Sequence, residues 1–218
     1  MDEIPHRLSA RARDVEPFQV MDILARARAM EAAGRSIIHM EIGEPDFTTP
    51  PPIVEAGIRA LREGRTHYTP ALGLPALREA ISRFYRERYA VDVSPARIVV
   101  TPGASGALQL ALAMLIDPGD QVLLADPGYP CYRHLVRLAE GEAVALNVSA
   151  ATGFQPTAQQ VEAAWSPRTA AVLLATPANP SGTLIAPAAL RNILAVVTAH
   201  RACLIDDEIW HGMEYEAE

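Results

Sequence analysis

Residues 169–207, TAAVLLATPANPSGTLIAPAALRNILAVVTAHRACLIDD, decide the fold class. An apolar run (169–176) leads into a Pro-bracketed turn and then a helical pattern (186–201). A second apolar run (202–207) ends in acids. Short apolar runs between turn residues read as buried strands, and the longer 3.6-period stretch between them reads as a helix. The same alternation extends back toward the N-terminus. It predicts strands at 97–100, 121–126 and 142–148, with helices at 105–116, 129–139 and 157–165. Strands alternating with helices imply right-handed crossovers, hence a mostly parallel sheet covered on both faces in a three-layer α/β arrangement.

Upstream of this alternation the pattern changes. Residues 17–34 carry helical spacing and end on Gly34, a plausible helix stop. A short strand is expected at 37–42, then a Pro-rich turn at 45–52 that marks a boundary. Helices are expected at 52–63 and 75–89, each opened by proline in its first turn. The stretch GRTHYTPALGL (64–74) between them reads as a loop.

Composition narrows the function classes. Half of the 218 residues are hydrophobic and 21% are charged, which excludes disorder for the bulk of the chain. The net charge of -7 provides no basic footprint for nucleic acid. No apolar run approaches the ~20 residues of a membrane span, and the charged N-terminus lacks a signal-peptide core. A soluble cytoplasmic protein is the expectation. Two cysteines, Cys131 and Cys203, are too few for a disulfide framework. All 19 basic residues are arginine, so these 218 residues cannot supply a lysine nucleophile or Schiff base.

Ligands of open parallel sheets bind outside the carboxyl ends of the strands, and four strand ends carry unusual residues. VVTPGASGAL (99–108) is a small-residue turn opening a helix, where backbone N–H groups and Ser105 can receive an anion. It reads equally as a tight turn with an ordinary serine cap. ADPGYPCY (125–132) puts Tyr129 just past a strand, as a pocket wall or as a core aromatic on the sheet rim. LLATPANPSGTLI (173–185) leaves Asn179 at the ligand-facing edge, as a hydrogen-bonding amide or as a turn residue. CLIDDEIW (203–210) ends in three acids, of which at least one should face a cation if buried. Asp206 and Asp207 alternate, so only one of them can face a ligand. Solvated acids are the plainer reading.

These four strings, with EIGEPDFTTP (41–50) and HYTPALGLPALREAI (67–81), resemble the fold-type I aminotransferases, the class I and II family that includes aspartate aminotransferase. The likeness runs from about residue 17 to residue 216, with the motifs in family order. It implies the major domain of a pyridoxal phosphate-dependent transferase, preceded by an N-terminal helical arm. Residues 1–48 would form the arm and part of the small domain, and residues 49–218 an incomplete large domain.

The resemblance further implies pyridoxal 5'-phosphate at the interface of a homodimer, and an amino acid and a 2-oxo acid as substrates. Carried over position by position, Gly43 resembles the backbone contact to the substrate carboxylate. Tyr68 resembles the tyrosine that reaches the neighbouring subunit's cofactor phosphate. Ala104 and Ser105 match the phosphate turn, and Tyr129 the ring stacked on the pyridine. Asn179 matches the amide at the cofactor 3'-oxygen, beside the substrate. Asp207 matches the carboxylate that keeps the pyridine nitrogen protonated, so that the ring can act as an electron sink. Trp210 stands where the family usually has tyrosine, and it offers only an N–H donor.

The family's Schiff-base lysine lies beyond the segment matched here. The likeness therefore implies the N-terminal half of an aminotransferase, truncated before its catalytic lysine, with no catalytic residue and no metal site in the chain. It also implies that the strand at 97–100 does not pair with the strand ending at Asp207, because two further strands lie between them. Two other functions stay open: a non-catalytic remnant or split partner that binds cofactor weakly, and a C–S lyase of the same family.

Overall fold

A computed structural model of the protein describes residues 7–44 and 47–214. The chain divides into two compact units, one built from residues 1–18 with 102–218 and the other from residues 19–101.

The first unit holds four parallel strands: β1 (Gln121–Asp126), β2 (Glu142–Asn147), β3 (Thr169–Ala175) and β4 (Cys203–Asp207), in the order β2-β1-β3-β4. The two central strands are the two most apolar in sequence and the most deeply buried, as a sheet covered on both faces requires. Period-two alternation sends Val122 and Leu124 of β1 to one face and Leu123 to the other.

On the first face, α5 (Gly103–Leu115) and α6 (Cys131–Leu138) bring Leu108, Leu112, Tyr132 and Val136 against Val122, Leu124, Ala171 and Leu173. On the second face, α7 (Ala158–Ala164) and α8 (Pro187–Ala199) bring Val161, Ile193 and Val197 against Leu123, Val172 and Leu174. Three layers result. Helix α7 starts at a reciprocal cap between Thr157 and Gln160, and α8 starts at a proline.

The unit also contains a short helix that periodicity does not reveal, α1 (Ala10–Asp14), capped by the Ser9 hydroxyl. Two ion pairs, Arg137–Asp14 and Arg11–Glu140, tie this arm to the end of α6.

The second unit contains α2 (Gln19–Ala32), α3 (Pro51–Arg62) and α4 (Pro75–Tyr89). Helix α2 ends as expected: Gly34 takes φ 85 and Arg35 N–H donates back to the Met30 carbonyl. Arg78 donates from α4 to the carbonyls of Ile98 (2.9 Å) and Pro95, holding the following segment to the helix.

Neither strand expected in this unit forms. Residues 37–42 make no ladder: Ile38 and Met40 are 87% and 88% exposed, so the apolar pattern has no face to bury. His39 instead bridges Glu31 (3.0 Å) and Glu41 (2.6 Å), and chiefly Glu41, then Glu31, raises its pKa. Ile98 is extended, but the segment's backbone N–H bonds run from Ile98 to the Pro95 carbonyl (3.2 Å) and from Val100 to the Leu72 carbonyl (3.1 Å), neither of them to a strand. A strand exists only as part of a ladder, and no described strand lies beside this one. Strand β4 pairs with β3 alone, so its outer edge is free of strand partners among the described residues.

Candidate functional site

The carboxyl ends of β1 and β3 converge on a narrow cleft in the first unit. Tyr129, Tyr132, Phe154, Gln155 and Asn179 line it, over Leu173 at the sheet. Each reaches it for a local reason. The DPGY turn after β1 is too tight for a side chain at Gly128, where a Cβ would lie 2.6 Å from the Ala125 carbonyl oxygen. This turn delivers Tyr129 immediately before α6. The Tyr129 ring meets Tyr132 edge-on (centroids 5.2 Å, 76°) and Phe18 likewise (6.1 Å, 76°). Its hydrogen bond with Cys131 and its partial burial push its pKa up to about 12, so the ring stays neutral.

Behind this ring the Tyr132 hydroxyl donates to Asp207 Oδ2 at 2.8 Å. Asp207 Oδ1 accepts the Ile209 N–H at 3.1 Å. Burial, then the bond to Asp207, raises the Tyr132 pKa, so Tyr132 remains a donor across the physiological range. Asp206 points to the opposite face, as alternation demands. Its Oδ1 is buried without a hydrogen-bond partner among the described residues, and burial, then the charges of Glu208 and Asp207, lift its pKa to about 6.

Ala104 and the exposed Ser105 sit in the first turn of α5, which has no side-chain cap on its preceding residue, Pro102. The short 116–120 connection places that turn at the same edge of the sheet as the strand ends. Asn179 sits in the connection after β3. Trp210, half-buried, belongs to the turn after β4.

Gly43 and Tyr68 lie in the other unit, and Tyr68 is fully exposed there. Tyr132, Gln155 and Phe18 were not singled out by sequence reasoning. A tyrosine three residues after Tyr129, one helical turn on, was the available signal for the first.

A larger cleft of about 560 Å³ runs along α6 between Asp14, Arg133, Arg137, Glu140 and Glu142. The five charges just named are matched to one another or to neighbours in ion pairs. Its lining at Gly119, Gly141 and Glu142 lies at the amino ends of β1 and β2. The smaller cleft presents the Tyr129 ring and the amides of Gln155 and Asn179, and Tyr132 in its lining holds the Asp207 carboxylate.

Residues 35–218 match the family described as Aminotransferase class I and II. The chain is 41% identical over 211 residues to the (5-formylfuran-3-yl)methyl phosphate transaminase of Methanocaldococcus jannaschii, covering 97% of the chain and 54% of that protein. It is 38% identical to the valine–pyruvate aminotransferase of Mycobacterium tuberculosis, covering 96% of the chain and 54% of that relative. Among solved structures, Thermus thermophilus aspartate aminotransferase with maleate superposes with a TM-score of 0.93 at 33% identity, covering 98% of this chain and 56% of that one. The chain thus spans about half the length of the relatives it matches. It belongs to the class I and II aminotransferases and corresponds to the N-terminal half of a fold-type I enzyme.

Proposed function

We propose that this chain is the cofactor-holding half of a pyridoxal 5'-phosphate-dependent aminotransferase, a cytoplasmic homodimer moving an amino group between an amino acid and a 2-oxo acid. In this reading residues 1–48 are the arm and part of the small domain, and 49–218 belong to the large domain. The observation that carries it is the Tyr132–Asp207 bond behind the Tyr129 ring at the ends of parallel strands.

When bound, the cofactor supplies a protonated pyridine ring that accepts the electrons left at a substrate's α-carbon. Asp207 holds the proton on the ring nitrogen, and Tyr132 orients the carboxylate. The flat face of Tyr129 excludes water from one side of the ring. Asn179 orients the 3'-oxygen. The first turn of α5, with Ala104 and Ser105, sets backbone N–H groups, a hydroxyl and the positive end of the helix dipole against the phosphate. Trp210 packs near the same ring edge, Tyr68 serves the partner subunit's phosphate, and Gly43 presents backbone to the substrate carboxylate.

A second reading rests on the absence of lysine from these 218 residues: a non-catalytic piece that binds cofactor only noncovalently. Equilibrium dialysis separates binding from catalysis. Saturable binding of pyridoxal phosphate, lost in Asp207→Ala, is the result expected of either reading. Its absence would sink both. The 218-residue chain alone is expected to give no turnover above free cofactor, because it brings no amine to carry the proton shift. Enzyme-dependent turnover would refute that and demand another base. Formation of pyruvate from cysteine conjugates by a lysine-bearing assembly, in place of amino transfer, would assign lyase chemistry.

A further inference from the structure

Gln155 is a buried polar residue, 6% exposed, on the connection before α7. Its own backbone is fixed: the N–H groups of Phe154 and Gln155 donate to the carbonyls of Ser149 (2.8 Å) and Thr152 (3.2 Å), and Phe154 takes φ 56. From this anchored position Gln155 Nε2 donates twice, to the Ala175 carbonyl at 3.1 Å and to the Thr183 carbonyl at 2.8 Å. Ala175 is the last residue of β3, where the chain leaves the sheet. Thr183 lies on its return, and its carbonyl also accepts the Ala178 N–H at 2.9 Å. Inside the loop, Gly182 N–H donates to the Ala178 carbonyl at 2.8 Å. A single side-chain amide therefore spans the two legs of the turn whose tip carries Asn179, and Gln155 and Asn179 line the same cleft.

We propose that Gln155 is a positioning residue that clamps both legs of the 176–183 loop and so fixes the Asn179 amide against the cofactor's 3'-oxygen. The assignment rests on the cofactor reading above. The clamp itself depends only on the geometry of the loop. Without the Nε2 donor, two carbonyls at the loop's base lose a partner. The loop then samples other arrangements, and only a fraction of the chains presents Asn179 correctly, which lowers apparent affinity in proportion.

The test uses the 218-residue chain with Gln155→Met, an unbranched substitution of similar reach. Hydrogen exchange of the ligand-free chain is expected to speed at the Ala178 and Gly182 amides, with the β1 amides unchanged. In equilibrium dialysis, the Kd of pyridoxal 5'-phosphate is expected to rise about 3–10-fold, the loss typical of one hydrogen bond. The double variant with Asn179→Ala should bind no more weakly than Asn179→Ala alone, because both act through one contact. With 3-deoxypyridoxal 5'-phosphate, which lacks the 3'-oxygen, Gln155→Met should have no effect.

Unchanged exchange at the two loop amides would overturn the clamp. Additive losses, or equal losses for both ligands, would overturn the action through Asn179. Failure of the unaltered chain to bind either ligand would remove the cofactor reading and the assignment with it, while the exchange data still decide whether the clamp exists.

Discussion

Asp206 provides the sharpest stability prediction. Its carboxylate is largely buried, its Oδ1 has no hydrogen-bond partner among the described residues, and Glu208 and Asp207 add like charge. The folded-state pKa rises from 3.8 to about 6. The folded chain therefore binds the Asp206 proton more tightly than the unfolded chain does. Stability falls as pH rises between about 4 and 6, and the penalty is fully present above that window. A shift of this size corresponds to about 3 kcal/mol in full. The group keeps access to solvent, and screening reduces the figure to about 1.5–2 kcal/mol. Asp206→Asn removes the charge while keeping the shape. Urea unfolding at pH 8 is expected to show the variant more stable by about 1.5–2 kcal/mol, with the gain vanishing at pH 4. A gain of the same size at both pH values would refute the electrostatic argument, as would no gain at pH 8.

Other consequences follow from single contacts. A double-mutant cycle of Tyr132→Phe with Asp207→Asn should give a coupling energy of about 1.5–3 kcal/mol in urea unfolding, the range for bonds to charged groups. Coupling near zero would mean that the hydroxyl does not hold the carboxylate in solution. Gly73 takes φ 96, and a Cβ there would lie 2.7 Å from Val100 Cβ. Gly73→Ala should therefore cost about 1–3 kcal/mol and release the Val100–Leu72 backbone bond, read as faster exchange of the Val100 amide. Ser105→Asp places a carboxylate against a bound phosphate and should weaken pyridoxal phosphate binding by tenfold or more at low salt, about 1.4 kcal/mol. Unchanged affinity would remove Ser105 from the phosphate site.

The sequence by itself determined the three-layer unit and most of its element order. Buried parallel strands need uninterrupted apolar runs, and QVLLAD and TAAVLLAT, each bounded by turn residues, supply them. Alternation also separated Asp206 from Asp207, since the pleat leaves no choice of face. The motifs at the strand ends, read by resemblance, were enough to name the family. Tertiary structure decided whatever depends on a neighbour. The stretches at 37–42 and 97–100 have strand-like composition, yet a ladder needs a partner that no local pattern supplies. Short α1 is set by one serine cap and its ion pairs to α6, too few residues for periodicity to register. The contacts of Tyr132 with Asp207 and of Gln155 with Ala175 and Thr183 join residues 75, 20 and 28 positions apart. Spacing along a chain has no information about such pairs. Only the stacking of β1, β3 and β4 side by side brings their ends, and the hydrogen bonds behind them, into one site.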